Sequence, residues 1–258
     1  MRSHEIDYTI LGESIQLVNI ALDPGETVIA EAGAMMYMDP DINFETKMGD
    51  GSNPNQGFVG KLFSAGSRLL TGESLFMTHF TSEGRAGKSN VGFSAPYPGT
   101  VVPIDLSRVA ENTLITQKDS FLCAALGTKV SITLNKKLGS GLVGGEGFIL
   151  QKLHGDGMAF VHAGGTVVER QLNNEKLRVD TGCVVAFENT LDFDITASGG
   201  LKSMLFGGEG IFLATLSGTG KVWMQSMPIR KLVAAIAPFG KNSNKGDNNI
   251  LGSFLEKD

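Results

Sequence analysis

Short apolar runs, cut by glycine-bearing turns, dominate the chain, and three of them open alike. Gly72-Glu73-Ser74, Gly145-Glu146-Gly147 and Gly208-Glu209-Gly210 each lead into a mostly apolar stretch. These stretches close on Ser82-Glu83-Gly84, Gly155-Asp156-Gly157 and Gly218-Thr219-Gly220, all read as turns. A pattern recurring at positions 73, 146 and 209 is the signature of an internal repeat, which governs the fold. Beyond the glutamates, Phe76, Ile149 and Phe212 and then Phe80, Leu153 and Leu216 share one side at period two, as a core face should. The other side starts apolar with Leu75, Phe148 and Ile211 and ends with His79, Lys152 and Thr215, a passage from interior to solvent.

Two more blocks repeat upstream of each glutamate. Glu31 to Tyr37, Lys118 to Ala124 and Asp180 to Ala186 match one another. Before them, Ile15 to Leu22, Thr100 to Leu106 and Thr166 to Leu172 each end on a leucine. Val, Ile, Thr and Phe in alternation between glycine turns predict an all-β chain. The units run over 1–96, 97–163 and 164–226, with 227–258 left as a C-terminal helix and polar tail. The first unit is longer, and its extra residues fall near 48–66, a segment rich in Gly, Asn, Pro and Ser. For the helix, Ser226 can cap, Pro228 suits the first turn and Pro238 follows the end. Ile229, Leu232, Val233 and Ile236 make an apolar stripe expected to pack on the β body.

Composition narrows the function. At 41% hydrophobic and 19% charged, the chain is globular and not disordered. A net charge of −5 without basic runs argues against nucleic-acid binding. Cys123 and Cys183 lie in apolar segments and are read as buried, reduced thiols; two such cysteines make no disulfide framework or zinc spacing. With no signal peptide and no long apolar run, a cytoplasmic protein is expected, with association at a membrane surface left open.

Ala30-Glu31-Ala32-Gly33-Ala34-Met35, Gly72-Glu73-Ser74-Leu75-Phe76 and Gly207-Gly208-Glu209-Gly210 with the Ser226-to-Pro238 tail carry a resemblance over essentially the whole chain. Together they resemble a bacterial family of unassigned function similar to the fungal "altered inheritance of mitochondria" proteins, which are linked to mitochondrial biogenesis. The resemblance implies a fold related to the tryptophan RNA-binding attenuation protein. It implies small sandwiches like double-stranded β-helices, three in tandem, in a pseudo-threefold arrangement. It transfers no catalytic residues, and an RNA-binding role follows from it by fold analogy alone.

Candidate chemistry is sparse. Glu73, Glu146 and Glu209 could converge on a pseudo-threefold axis and hold a hard cation; the structural reading makes each a cap for its own glycine turn. Gly87-Lys88-Ser89 resembles the end of a phosphate-binding loop but lacks the upstream glycine, and reads as a strand-end loop. His154, Asp156 and His162 can be drawn as a metal site across one hairpin, although the glycine turn explains their spacing without a metal. Met35, Met36 and Met38 read as core filling. Phe58, Leu62 and Phe63 in the insertion can form one helical apolar face, read as packing over an open end of the first β unit or, alternatively, as a contact for a protein partner or a membrane surface. No nucleophile, base and oxyanion set emerges. The reading is a non-catalytic binding or scaffold protein, homo-oligomeric and without a cofactor. A small-ligand or metal-ion binder at the three glutamates is the alternative.

Overall fold

The computed structural model describes residues 2–48, 76–136, 148–197 and 212–240. Seventeen strands are assigned there, in three antiparallel sheets, followed by one helix. Sheet 1 contains β1 (Asp7–Leu11), β2 (Leu17–Leu22), β7 (Ser89–Ser94) and β4 (Met35–Met38), in that spatial order. Sheet 2 contains β5 (Ile42–Met48), β6 (Phe76–Ser82), β3 (Thr27–Ala30), β10 (Phe121–Ala125), β13 (Met158–Gly164) and β8 (Gly99–Asp105). Sheet 3 contains β11 (Lys129–Lys136), β12 (Phe148–His154), β9 (Thr113–Gln117), β15 (Val184–Glu188), β17 (Phe212–Gln225) and β14 (Val167–Asp180); β16 (Leu191–Ala197) also pairs with β17. The all-β expectation holds at this level.

Three cores lie between and within these sheets. Val18, Ile20, Leu22, Val91 and Phe93 of sheet 1 pack on Val28, Phe80, Cys123 and Phe160 of sheet 2. The opposite face of sheet 2, with Ile29, Met77, Ala124, Ala159 and Val161, packs on Leu114, Leu153, Ala186 and Trp223 of sheet 3. Ile115, Leu150, Phe187 and Val222 then meet Leu172, Leu191, Ala214 and Leu216, where sheet 3 curls over itself. Burial therefore follows position. β2 alternates buried and half-buried residues because only one face is covered, whereas β3 is buried throughout because it lies inside the central sheet.

Several expectations change. His79 is buried, because β6 also lies inside the central sheet and both its faces are covered; Phe76, at the start of the strand, is exposed. Gly218-Thr219-Gly220 is not a turn, since β17 runs through it as one strand. Gly218 has φ +121°, and the adjoining β14 bulges at Asn174, which has φ 57°. The side-chain oxygen of Thr219 accepts from the Asn174 amide at 3.0 Å and its carbonyl accepts from the Thr190 hydroxyl at 2.8 Å, so the kink is absorbed within the ladder. Met35 and Met36 are exposed, because β4 is the edge of sheet 1 and bulges between Met35 and Tyr37. Cys123 is buried, but Cys183 is only half-buried.

The helix α1 spans Ile229–Gly240 and so includes Pro238, which the sequence places after its end. Its stripe does not pack as expected. Ile229 and Leu232 are half-buried, while Val233 and Ile236 are more than half exposed. The first turns meet the β body, where Lys231 approaches Asp180 at 3.9 Å and the Cys183 sulfur at 3.6 Å.

Candidate functional site

The candidate metal-site glutamates Glu73, Glu146 and Glu209, and the candidate contact residues Phe58, Leu62 and Phe63, all lie outside the described residues. The hairpin histidines are not brought together. His154 pairs with the Thr113 hydroxyl at 2.9 Å, Asp156 accepts from the Ser3 amide at 2.8 Å, and His162 sits at the far end of β13. Among the described residues no three His, Cys, Asp or Glu side chains are placed to hold a metal ion. Gly87-Lys88-Ser89 is a strand-end segment whose lysine pairs with Asp7 and Asp23.

A different group of residues forms a site. A cavity of about 570 Å³ opens where the turn after β3 meets the start of β10, the end of β13 and the start of α1. Its polar lining comes from Glu31, Ser94, Tyr97, Asp119 and His162; its apolar walls include Ala34, Leu122 and Ile229. Glu31 follows β3 directly, so the strand fixes its backbone and the turn leaves its side chain free to reach inward. The Gln151 side-chain amide, from the middle of β12, donates to Glu31 Oε1 at 2.6 Å. Burial holds the Glu31 carboxyl above its ordinary range, against the smaller lowering effects of Gln151 and Lys118.

His162 is the unusual member. Its residue is 2% exposed and neither ring nitrogen has a hydrogen-bond partner among the described residues. Burial pushes its pKa down to about 4, so the imidazole is neutral around pH 7. Tyr97 meets it edge-on with ring centroids 4.6 Å apart, and burial, with a smaller contribution from Asp119, raises the Tyr97 phenol to about 12. Buried polar atoms left without partners are uncommon in folded proteins and call for an explanation. Sequence reading drew His162 with His154 and Asp156 across one hairpin and placed Glu31 in a repeated strand; a single acid within Ala30-Glu31-Ala32-Gly33-Ala34 is the one local signal for the cavity.

A second surface adjoins the cavity. Met35, Met36 and Tyr37 are exposed on β4, and Met227, Val233 and Ile236 are exposed around α1. The Tyr37 ring covers Gly92, and its hydroxyl donates to Asn19 at 2.6 Å. Beyond it the outer side of sheet 1 continues as a polar row, with Asn19 bonded to Asn90 and Asn90 to Asp39.

The mitochondrial biogenesis AIM24 family matches residues 8–227, most of the chain. This protein belongs to that family. An uncharacterized protein of Streptococcus pyogenes serotype M6 is 27% identical over 224 residues, which are 85% of each chain. The crystal structure of a Streptococcus pyogenes protein superposes with a TM-score of 0.72 at 22% identity, covering 91% of this chain and 100% of that one. At that identity the likeness speaks for the fold. Among the described residues no helix is long and apolar enough to cross a membrane.

Proposed function

We propose that this AIM24-family chain is a non-catalytic binding or scaffold protein that works as a homo-oligomer. The observation that supports it is the edge of sheet 1, which has no partner strand among the described residues. β4 carries Met35, Met36 and Tyr37 into solvent, and the exposed stripe of α1 adds Val233 and Ile236. A sheet edge with an apolar side-chain row is a self-association surface unless it is covered. The bulge at Met36 blunts backbone pairing along β4, so a second copy is expected to dock through side chains. The proposal includes three related units in a pseudo-threefold arrangement, supported by recurring strand pairings. β2 and β4 flank β7, β8 and β10 flank β13, and β14 and β15 flank the second half of β17. β3 pairs with β10 and β9 with β15, whereas β4 has no such neighbour among the described residues. Phe58, Leu62 and Phe63 belong to the same reading as further contact positions, on sequence spacing alone.

Sedimentation equilibrium tests the oligomer. The wild type should sediment as a multiple of 27.3 kDa, and Met36→Lys with Val233→Lys should return it to the monomer with its fold intact. A wild type that stays monomeric at every concentration would overturn the proposal.

A further inference from the structure

The cavity beside β3, β10 and α1 carries an inference of its own, independent of the oligomer. Two carboxyl groups line it, and among the described lining residues there is no lysine or arginine. A neutral imidazole offers one N–H donor and one acceptor, and here both are buried without a partner among the described residues. The rest of the lining is mostly small or apolar, including Ala32, Ala34, Leu122 and Ile229. Its volume of about 570 Å³ falls within the range of small-molecule sites, roughly 300–1,000 Å³.

The molecule supplies an internal comparison. His162 stands opposite Val101, the third residue of β8, and Trp223 stands opposite Glu169, the third residue of β14. At the second place the indole fills its space and donates to Glu169 Oε2 at 3.0 Å. At the first, the smaller imidazole borders a cavity and finds no hydrogen bond. What Trp223 completes from within the chain, His162 leaves unmet beside the cavity.

The chemistry of the lining selects that molecule. Lys118 acts on Glu31 from outside the lining, but the two carboxylates outnumber it, so the cavity repels anions and attracts an ammonium group. Tyr97 adds an aromatic surface that a cation or a second ring can use. We propose that this cavity binds a small primary amine with an apolar body, its ammonium group on the Glu31 and Asp119 carboxylates and its body against Tyr97, His162 and Ile229.

The test uses the full chain labelled with 13C in its histidines; there are four, and His162→Gln assigns the signal of the fourth. 2-Phenylethylamine is titrated in parallel with 3-phenylpropionate, which has a similar body and the opposite charge. The amine should shift the His162 imidazole resonance saturably, and the acid should leave it in place. Glu31→Gln should weaken the amine about tenfold or more, as loss of a charged contact does. If Glu31→Gln does not fold, Asp119→Asn serves instead, because Asp119 is exposed and its replacement burdens no core. An unmoved His162 resonance, equal binding of the acid, or undiminished binding by the folded variant would each overturn the proposal.

Discussion

Gln151 and Glu31 join two sheets through one hydrogen bond of 2.6 Å, from the middle of β12 in sheet 3 to the turn after β3 in sheet 2. Gln151 is fully buried, and its own carbonyl oxygen finds no partner among the described residues. The pair is therefore a polar seam beside the central core. A carboxylate there is more expensive than a neutral group, because burial removes its water and one amide N–H replaces little of it.

That expense gives Glu31 a signature in pH. Its folded pKa is raised above the ordinary 4.5, so the unfolded chain gives up this proton first as pH rises. Below 4.5 the group is neutral in both states and has no effect; as pH climbs through the raised folded value, stability is lost and stays lost. Glu31→Gln keeps an acceptor for Gln151 and removes the charge. It should be more stable than wild type at about pH 7, with the difference vanishing at about pH 4. Fluorescence of the single tryptophan, Trp223, buried in the central core, follows the melt. A variant that melts lower than wild type at neutral pH would contradict a charge held under strain.

His162 carries the opposite sign. Its folded pKa of about 4 lies below the ordinary 6.5, so the unfolded chain takes up a proton first as pH falls. Stability is complete above 6.5 and is lost as pH drops toward 4. The linkage is on the order of 2 kcal/mol, below the full value because the ring borders an open cavity. His162→Leu should lack this loss, so the two denaturation curves, compared at about pH 7 and about pH 4, should converge or cross in acid. Parallel losses in both proteins would show that His162 is not the group responsible.

Local turn chemistry was legible; long-range placement was not. Asp23-Pro24-Gly25 separates β2 from β3 and Gly155-Asp156-Gly157 separates β12 from β13, because proline and glycine fix such bends within a few residues. Gly218-Thr219-Gly220 uses the same letters, yet the partner strand β14 decides that the chain continues. Met35 and Met36 look like core in composition, and only the order β1-β2-β7-β4 places them on an edge. The cavity was invisible for the same reason. Glu31 and His162 lie on distant parts of the chain and meet because β10 pairs with β3 on one side and β13 on the other. No local period encodes a register between strands so far apart in sequence.

Gly164 is predicted to be indispensable to the seat of α1. Its carbonyl accepts from the Met227 amide at 3.0 Å and its amide donates to Gln225 Oε1 at 2.7 Å, so the backbone leading into the helix lies directly on β13. A methyl group at this position would overlap the Met227 carbonyl oxygen, which is backbone and cannot turn aside. Gly164→Ala should cost about 1–3 kcal/mol, the range for forced overpacking, and should free the 226–229 segment. Urea denaturation measures the first effect; faster amide exchange at Met227 reports the second. Wild-type stability in the variant would mean that this approach is looser than described.

The two cysteines should separate cleanly in a thiol assay. Cys123 lies in β10 inside the central sheet, and burial pushes its thiol well above the ordinary range. Only the small fraction of molecules that open globally exposes it. Cys183 is half-buried at the turn entering β15, within 3.6 Å of the Lys231 ammonium. Thiolates rather than thiols react, and exposure controls access to them. A disulfide reagent added to the native protein should therefore modify one thiol per chain, and Cys183→Ser should abolish that fast phase. In denaturant both thiols should react. Two fast thiols in the native state would mean that sheet 2 opens around β10 far more readily than its double burial allows; none would mean that α1 or a second copy shields Cys183.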